Sequence, residues 1–356
     1  MDPTRLRRLA VWIRTGCWPP GGEGRRRRPA WWIGWATWAY LGLAVLAAIF
    51  IWGFGDRWWP ATILLYAPRY FLLVPVAVLV PAAAVLRRPL LSLLFVTALV
   101  VIFPVMGFRT GWRNWLAPRP SGPRLKIVTF NVDGGEVIGP LLPSMLRDWA
   151  PDLVAFQECG EPLVEAIQRL DGWYHREREN LCFVSRYPIA SAEGKEEFFL
   201  GDIGSTGSAS RYDVLTPAGN IHYVNVHLET VRKGLEPLMT SGNLARMTGN
   251  AELRDLGSRR IRAWVDSIPG ALLVSGDFNM PVESAIYRRY WGDLGNAFSQ
   301  AGHGVGGSRA MARGGVRIDH VLFGDGWRPL SARLGPDFGT DHRPMFAEME
   351  WVGAGP

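Results

Sequence analysis

The sequence contains little cysteine: Cys17, Cys159 and Cys182 are the three in 356 residues. So few cysteines at such wide spacing exclude a disulfide-framework protein and a zinc site built from paired cysteines. Cys159 and Cys182 each lie beside an apolar, strand-like run, where a buried free thiol is the expected state. The number of cysteines does not identify a cellular compartment.

Net positive charge is also missing from the C-terminal two-thirds of the chain. The formal net charge is +7, but residues 1–30 and 31–120 carry +6 each, which leaves −5 on residues 121–356. A domain that binds duplex DNA normally presents a basic face. The charge distribution therefore disfavours a broad DNA-binding surface, although an acidic domain can still hold a phosphate through a metal ion.

The chain lacks internal repeats and low-complexity tracts, but it has three long apolar stretches, at 31–52, 61–86 and 89–108. Each is close to the ~20 residues that cross a bilayer as a helix. The stretches have no polar stripe of the kind that a buried soluble helix shows. A cleaved signal peptide does not account for them, because the first stretch is too long and two more follow. The pattern predicts three transmembrane helices, an all-α anchor over residues 31–108.

Arginine determines the predicted orientation of this anchor. The tail, residues 1–30, contains a run of four arginines, and Arg87 and Arg88 lie between the second and third stretches. Both groups should be cytoplasmic under the positive-inside rule. Three crossings then place the rest of the chain outside, beyond a linker rich in Pro, Gly and Arg at 109–124 whose own arginines oppose this orientation. The sequence thus predicts a multi-pass protein of the cytoplasmic membrane with a cytoplasmic N-terminus.

From Leu125 the sequence changes to short apolar runs separated by turns and a few helical segments. The run LLVSGDFN at 272–279 places Asp277 and Asn279 two positions apart, so that their side chains point towards one spot at a strand end. Gly, Asp and Asn are also common in turns, and this fragment alone fits a simple turn equally well. Three other runs end in the same manner, at Asn131, Glu158 and His227. Polar residues at several strand ends predict an α/β sandwich over residues 125–352, with its site at one sheet edge.

Six blocks, TFNV, DLVAFQE, NVHLE, GDFN, RIDHVLF and TDHRPM, occur in this order between residues 125 and 351. The series resembles the endonuclease/exonuclease/phosphatase superfamily, which has the DNase I-like fold, here in a membrane-anchored, bacterial-type form. GDFN alone is a weak signal, whereas six ordered blocks are a strong one. The resemblance implies a four-layered α/β sandwich, two packed sheets flanked by helices, with these loops gathered at one end.

The chemistry of phosphoester hydrolysis assigns roles to several of these residues. The reaction needs a Lewis acid on the phosphoryl oxygens, an activated water and help for the leaving oxygen. Mg²⁺ prefers oxygen ligands and is usually held by one or two carboxylates with waters and substrate; Mn²⁺ is the alternative ion. Glu158 fits the principal carboxylate, with Asn131 as a neutral oxygen partner and Asp341 as a further acidic ligand.

The resemblance implies the remaining roles. Asp277, with Asn279 beside it, orients or deprotonates the attacking water. His342 contacts the phosphate and stabilises developing charge, and Asp319 fixes its ring. His227 supplies a second imidazole contact to the phosphoryl oxygens.

Each of these residues also has a purely structural interpretation. Glu158 could be a solvated strand end and His227 a hydrogen-bonded core histidine. Asp319 and Asp341 could be turn acids. His320, next to Asp319, points to the opposite face of a strand and is expected to be structural.

Three functions are compatible with these observations. The leading hypothesis is a membrane-tethered, Mg²⁺-dependent phosphohydrolase at the outer membrane face, with the lipid bilayer and a lipid or lipid-linked phosphoester or pyrophosphate as its partners. An extracytoplasmic Mg²⁺-dependent nuclease on DNA or RNA is the second; it is less favoured because residues 230–247, read as polar and flexible, contain no large substrate-reading insertion. The third is a catalytically silent membrane-anchored binding module, which the complete set of acids, amides and histidines opposes. No protein partner is evident.

Overall fold

The structure is a computed structural model that describes residues 27–115, 117–201, 203–311 and 314–353. The predicted basic tail, residues 1–30, lies outside the described residues except for the backbone of 27–30. The described chain divides into two structural units. The apolar unit contains residues up to Gly53 together with Arg69–Gly107, and the α/β unit contains Phe54–Pro68 and the chain from Phe108 onward.

The secondary structure changes character between these units, from helices alone to alternating strands and helices. In chain order the helices are α1 (Arg27–Ile49), α2 (Trp59–Tyr66), α3 (Val74–Leu86), α4 (Leu90–Val100), α5 (Trp112–Trp115), α6 (Leu142–Trp149), α7 (Glu161–Gln168), α8 (Arg232–Ser241), α9 (Leu244–Val265), α10 (Ala285–Tyr290) and α11 (Ala297–Ala301). The strands are β1 (Arg124–Asn131), β2 (Leu153–Gln157), β3 (Tyr174–Arg178), β4 (Leu181–Ser185), β5 (Ile189–Lys195), β6 (Ser208–Thr216), β7 (Gly219–His227), β8 (Leu272–Asp277), β9 (Gly295–Asn296), β10 (Arg309–Met311), β11 (Gly314–Val316), β12 (Asp319–Phe323), β13 (Trp327–Leu334) and β14 (Met345–Trp351).

Among the described residues, two helical segments are long and apolar enough to cross a bilayer, Trp31–Arg57 and Arg69–Leu86. The third apolar helical segment, Leu90–Val105, is shorter and has Pro104 inside its last turn. The prediction of three transmembrane helices is therefore supported for two of the three stretches.

The second predicted span, 61–86, is interrupted in the structure. Helix α2 ends at Tyr66, because Ala67 adopts an extended conformation with ψ 158° immediately before Pro68. A residue that precedes proline avoids the helical region, since the proline ring clashes with its backbone and Cβ. Residues 54–68, which fall inside the predicted anchor range, consequently belong to the α/β unit.

Two six-stranded sheets form the centre of the α/β unit. Their strand orders are β13-β14-β1-β2-β4-β3 and β5-β6-β7-β8-β12-β9, and β10 and β11 form a separate two-stranded sheet. Strands β1 and β2 are parallel, as are β7 and β8, whereas β8 and β12 are antiparallel. Both sheets are thus mixed, and each contains one parallel pair whose carboxyl ends lie side by side.

The two sheets pack face to face, and helices cover their outer faces. Ile127 and Phe183 of the first sheet share a core with Tyr212 and Leu273 of the second, and the rings of Phe183 and Tyr212 stack with centroids 4.4 Å apart. Helices α6 and α7 cover the first sheet, and α9 and α10 cover the second. Burial of apolar surface on both sides of each sheet stabilises this arrangement. The predicted α/β sandwich of two packed sheets is confirmed.

Residues 230–247, expected to be polar and flexible, are helical. They form α8 and the first turn of α9. Gly242 ends α8 with a left-handed φ of 68°, and the side chain of Asn243 caps α9 by accepting a hydrogen bond from the Arg246 amide. Gly at a helix end and Asn at a helix start are the usual capping residues. The Gly242–Asn243 pair was therefore a sequence signal for two helices in this segment.

Cys159 and Cys182 form a disulfide, with their Cα atoms 6.0 Å apart. The expectation of two free thiols is therefore wrong. Cys182 lies in β4, opposite Phe156 of the neighbouring strand β2, and Cys159 follows the end of that strand. The pairing depends on the adjacency of β2 and β4, which the spacing of two cysteines does not reveal.

Candidate active site

Strand register brings the predicted site residues to one edge of the sandwich. In the first sheet Asn131 pairs with Gln157, which places it beside Glu158. In the second sheet Asp277 is level with His227 on one side and with Asp319 on the other. Residues that are far apart in the sequence therefore meet where these strands end or begin.

The Asn131 amide connects the two sheets at this edge. Its Nδ2 donates to Glu158 Oε1 at 2.8 Å and to Asp277 Oδ2 at 3.1 Å. Glu158 adopts a left-handed φ of 54°, a conformation that costs a non-glycine residue free energy and is found repeatedly at functional sites as well as in turns and helix ends. One amide thus holds two carboxylates together across the interface between the sheets.

The GDFN loop is built around the Asp277 carboxylate. A Cβ atom on Gly276 would lie 1.8 Å from the Val226 carbonyl oxygen, so only glycine fits at this position. Asn279, with φ 51°, donates its backbone N–H to Asp277 Oδ1 at 2.8 Å and its side-chain Nδ2 to Leu228 O at 2.8 Å. The fragment is a turn, and a backbone N–H of this turn fixes the orientation of the Asp277 carboxylate.

His342 lies between two buried carboxylates. Its Nδ1 is 2.9 Å from Asp319 Oδ2, and its Nε2 is 3.6 Å from Asp277 Oδ2. Because a carboxylate can only accept, the proton on Nδ1 points at Asp319. The structure thus places Asp319 in hydrogen-bonding contact with the His342 ring, and its role in orienting that ring stays a prediction.

Burial and charge perturb the pKa values of this group. Burial raises the pKa of the Asp277 carboxyl above its ordinary value, and the nearby Asp319 carboxylate raises it further. Burial alone would lower the pKa of His342, but the carboxylates of Asp319 and Asp277 outweigh it and raise that pKa to about 9. His342 is therefore an imidazolium at neutral pH, the form that stabilises negative charge on a phosphoryl group.

His227 occupies the other side of the same edge. Its Nε2 lies 3.5 Å from Glu158 Oε1 and 4.0 Å from Asp277 Oδ2. Its Nδ1 is 3.3 Å from the Asn180 amide nitrogen, and Ser208 Oγ donates in turn to Asn180 Oδ1 at 3.2 Å. The Asn180 amide thus orients the imidazole, a role that sequence reasoning missed although a polar residue precedes the apolar run of β4.

Asp341 lines the same cleft and lies near both Arg309 and His342. Its Oδ2 pairs with Arg309 Nη2 at 2.8 Å, and its Oδ1 lies 3.9 Å from His342 Nε2. Asp341, Glu158, His227 and Arg309 all line a cleft of about 190 Å³. Sequence reasoning also missed Arg309, which lies in the short β10 strand beside glycines and matches none of the six blocks.

Two sets of side chains could hold a divalent metal ion. Asp277, Asp319 and His342 each offer a ligand atom, and these atoms lie within 4.8 Å of one another. In the predicted set, Glu158 and Asp341 offer carboxylate oxygens, whereas Asn131 turns its Nδ2 towards Glu158 and its Oδ1 accepts from the Asp133 N–H. The Glu158 side chain is 41% exposed, so that water or substrate can complete the coordination. Hard oxygen ligands with open positions suit Mg²⁺ or Mn²⁺, whereas a buried imidazole already bonded to a carboxylate suits charge stabilisation. The residues present fit a divalent ion.

His320 does not join the site and is buried on the opposite face of β12. Its Nε2 donates to Met280 O at 2.8 Å, and its Nδ1 accepts from Asn296 Nδ2 at 3.2 Å. Burial, assisted by the Arg317 cation, lowers the pKa of His320 to about 3. The expected structural role agrees with these contacts.

A pH dependence of stability follows from His320. The unfolded chain binds a proton there below about pH 6.5, whereas the folded protein stays neutral to about pH 3. The free energy of unfolding should therefore fall as the pH falls through this window, by up to about 1.4 kcal/mol per pH unit from this residue. Denaturant titrations should give a flatter pH profile for His320→Gln than for the wild type. His303→Gln, which removes an exposed ring, should keep the wild-type profile; equal slopes for wild type and His320→Gln would contradict the assignment.

An α/β sandwich with carboxylates, an amide and imidazoles gathered at one sheet edge defines a metal-dependent phosphoesterase. The sequence matches the Endonuclease/Exonuclease/phosphatase family over residues 128–342, more than half of the chain, and the chain belongs to this family. No curated protein matches the sequence significantly.

Solved structures are similar to this chain at low sequence identity. An endonuclease/exonuclease/phosphatase family protein from Bacteroides thetaiotaomicron is 12% identical, with a TM-score of 0.51 over 65% of this chain and 97% of that one. A second, from Beutenbergia cavernae, is 16% identical, with a TM-score of 0.48 over 66% and 73% of the two chains. A 3′ phosphatase from Neisseria, solved with a product DNA hairpin, is 19% identical, with a TM-score of 0.46 over 64% and 100%.

Proposed function

We propose that this phosphoesterase is tethered to the cytoplasmic membrane and hydrolyses, with Mg²⁺, a phosphoester or pyrophosphate bond of a lipid-linked substrate at the outer face. The observation that carries the proposal is the Asn131 amide, which joins Glu158 and Asp277 while the His342 cation faces the same carboxylate. A carboxylate that can bind a metal ion, a carboxylate that can accept a proton from water and an imidazolium that can stabilise negative charge therefore surround one point.

Different side chains have different roles in an in-line displacement at phosphorus. Glu158 and Asp341 would hold the metal, which when bound supplies a Lewis acid for the phosphoryl oxygens, and the Asn131 amide holds Glu158 in place. Asp277 orients the attacking water and accepts its proton, held in place by the Asn279 N–H.

The histidines act on the phosphoryl charge. His342 donates from Nε2 to a phosphoryl oxygen, because its Nδ1 is bonded to Asp319. His227 donates from its Nε2 on the other side, since the Asn180 amide lies against its Nδ1. Donors placed before the reaction stabilise developing charge without reorganisation.

A cavity next to the cleft favours a substrate with an apolar part. It has a volume of about 260 Å³ and shares Thr230, Arg232, Asn279 and Arg309 with the cleft. The rest of its lining is mostly apolar and consists of Val231, Leu235, Val316 and Ile318 with Tyr66 and Glu236. A phosphate in the cleft would thus be next to two guanidinium groups, and an attached hydrocarbon could enter the cavity. This arrangement supports an amphiphilic phosphate.

The proposed location rests on the apolar unit and on the disulfide. Two helical segments have the length and composition of membrane spans. The Cys159–Cys182 disulfide is typical of an oxidising compartment outside the cytoplasm. Both observations favour a membrane-tethered enzyme whose α/β unit is extracytoplasmic.

A substrate panel tests the proposal. The full chain in detergent should release phosphate or a head group from labelled isoprenoid pyrophosphates or phospholipids, and chelation of the metal should abolish release. Plasmid DNA and RNA should be cleaved far more slowly, because the net charge of residues 121–356 is negative and nucleic-acid affinity depends on basic side chains. Asp277→Asn controls for contaminating hydrolases. Faster cleavage of nucleic acid than of any lipid would establish the nuclease instead.

A further inference from the structure

The segment that connects the first two apolar helices, residues 54–68, is part of the α/β unit. Ala61 and Leu65 of α2 are completely buried, and Tyr66 is 7% exposed. Gly55 has φ 46°, and a Cβ atom there would lie 3.0 Å from the Ala285 amide nitrogen. The segment is therefore closely packed against α10.

A buried ion pair fixes this segment to α9. Arg254 Nη1 lies 3.2 Å from Asp56 Oδ1, and both side chains have no exposed surface. Ser284 Oγ donates to the second oxygen of Asp56. Two charges removed from water are costly unless each is paired and hydrogen-bonded, and removal of one partner leaves the other uncompensated. The pair consequently allows one arrangement of the segment and α9.

The contacts of this pair extend to the GDFN loop. Arg254 Nη2 donates to the Tyr66 hydroxyl, and the Tyr66 hydroxyl donates to the Asn279 carbonyl oxygen at 3.0 Å. Arg254 also donates directly to that carbonyl at 3.4 Å. Asn279 is in turn the residue whose backbone N–H bonds to Asp277 Oδ1. One hydroxyl thus contacts the loop residue that holds the proposed catalytic acid.

The conformation of Asn279 shows why this contact matters. Its left-handed φ of 51° costs about 1–3 kcal/mol for a non-glycine residue and persists only where surrounding contacts determine it. Leu228 O binds the Asn279 side chain, and Tyr66 with Arg254 binds its carbonyl oxygen. Without the Tyr66 hydroxyl, the Asn279 carbonyl oxygen loses a donor, the left-handed conformation of Asn279 is less well determined, and the N–H that faces Asp277 loses its alignment.

We propose that Tyr66 is a positioning residue for the reaction, and that Asp56 and Arg254 hold it in place. Tyr66 acts through Asn279 on the orientation of the Asp277 carboxylate, so the segment between the first two apolar helices completes the active site. The inference rests on the proposed role of Asp277.

The test is Tyr66→Phe in the full chain in detergent, with bis(p-nitrophenyl) phosphate as substrate. We expect kcat to fall about tenfold with KM nearly unchanged, because a misaligned acid affects the transition state rather than substrate binding. Tyr187→Phe is the matched control, since it removes a hydroxyl that bonds to Asp152 at 3.3 Å elsewhere in the same unit. This control should keep the wild-type kcat, and the Tm of each variant measures how far it is destabilised.

A double-mutant cycle separates positioning from general destabilisation. In an Asp277→Asn background, Tyr66→Phe should produce no further loss of kcat, because the two residues act through one carboxylate. A kcat within twofold of the wild type for Tyr66→Phe, or the same tenfold loss in both backgrounds, would overturn the inference. Wild-type activity of Asp277→Asn alone would instead overturn the proposed function, so the two failures are distinguishable.

Discussion

Asp277→Asn should lower kcat by at least about 10²-fold while KM stays nearly constant. The Asp277 carboxylate accepts hydrogen bonds from the Asn131 side chain and from the side chain and backbone N–H of Asn279, and it faces the His342 ring. The amide of the variant can keep much of this geometry but cannot take a proton from water. Steady-state kinetics with a chromogenic bis-ester measure the effect, and an unchanged Tm shows that the fold is intact.

Steady-state kinetics of His342→Ala should show a similar loss of kcat, because the imidazolium no longer stabilises charge in the transition state. The double variant should lose less than the product of the single losses, since both residues act at one centre. Asp319→Asn should lower kcat less than His342→Ala does, because Asp319 only orients the His342 ring.

A matched control for these variants is Asp213→Asn. Asp213 bonds to His222 at 2.6 Å and to Arg211 at 3.1 Å on β6, outside the cleft. Its kcat should stay within twofold of the wild type. A wild-type turnover number for Asp277→Asn would mean that GDFN is a structural turn and no more.

Glu158→Gln should remove most of the activity and raise the metal concentration needed for the remainder. A neutral amide is a weaker ligand than a carboxylate, and loss of Lewis-acid assistance worth several kcal/mol lowers the rate on the order of 10²-fold. The fold should persist, because the Glu158 side chain is 41% exposed and contributes little to the core. The measurements are kcat against Mg²⁺ and Mn²⁺ concentration, and the Tm of the protein without metal.

The control for this variant is Glu161→Gln, three positions further along in the first turn of α7, where the acid is exposed and does not line the cleft. It should have the wild-type metal dependence. Partial recovery of Glu158→Gln at high Mg²⁺ agrees with a ligand role. Full activity of the wild type in a chelator would instead exclude the metal mechanism.

Most of the site was predictable because it lies at strand ends. Apolar runs that finish in Asn131, Glu158, His227 and Asp277 are local patterns, and parallel neighbours place such ends at one edge. The pairing of strands also determines which acid meets which imidazole. The contact between Asp319 and His342 spans 23 residues, and it was accessible only through the family resemblance.

Other contacts could not be predicted from local sequence patterns. Arg254 meets Asp56 across 198 residues, and Tyr66 meets Asn279 across 213. The hydrophobicity of the sequence predicted one apolar stretch over residues 61–86, because Tyr66 and its neighbours are as hydrophobic as a membrane helix. A segment that buries such residues in a sandwich has the same composition as one that buries them in lipid. The distinction depends on the partner surface, which composition does not contain.

The place of residues 54–68 also limits how the chain can thread through a bilayer. This segment and the chain from Phe108 onward form one unit, so both lie on the same side if the protein is tethered to a membrane as proposed. The chain between them, Arg69–Gly107, must then cross an even number of times. If Arg69–Leu86 crosses outward or inward, the shorter helix Leu90–Val105 has to return, with the bilayer thinning around it as it does for short helices. Under the proposed tethering, a single crossing by helix α1 would therefore make the total number of crossings odd.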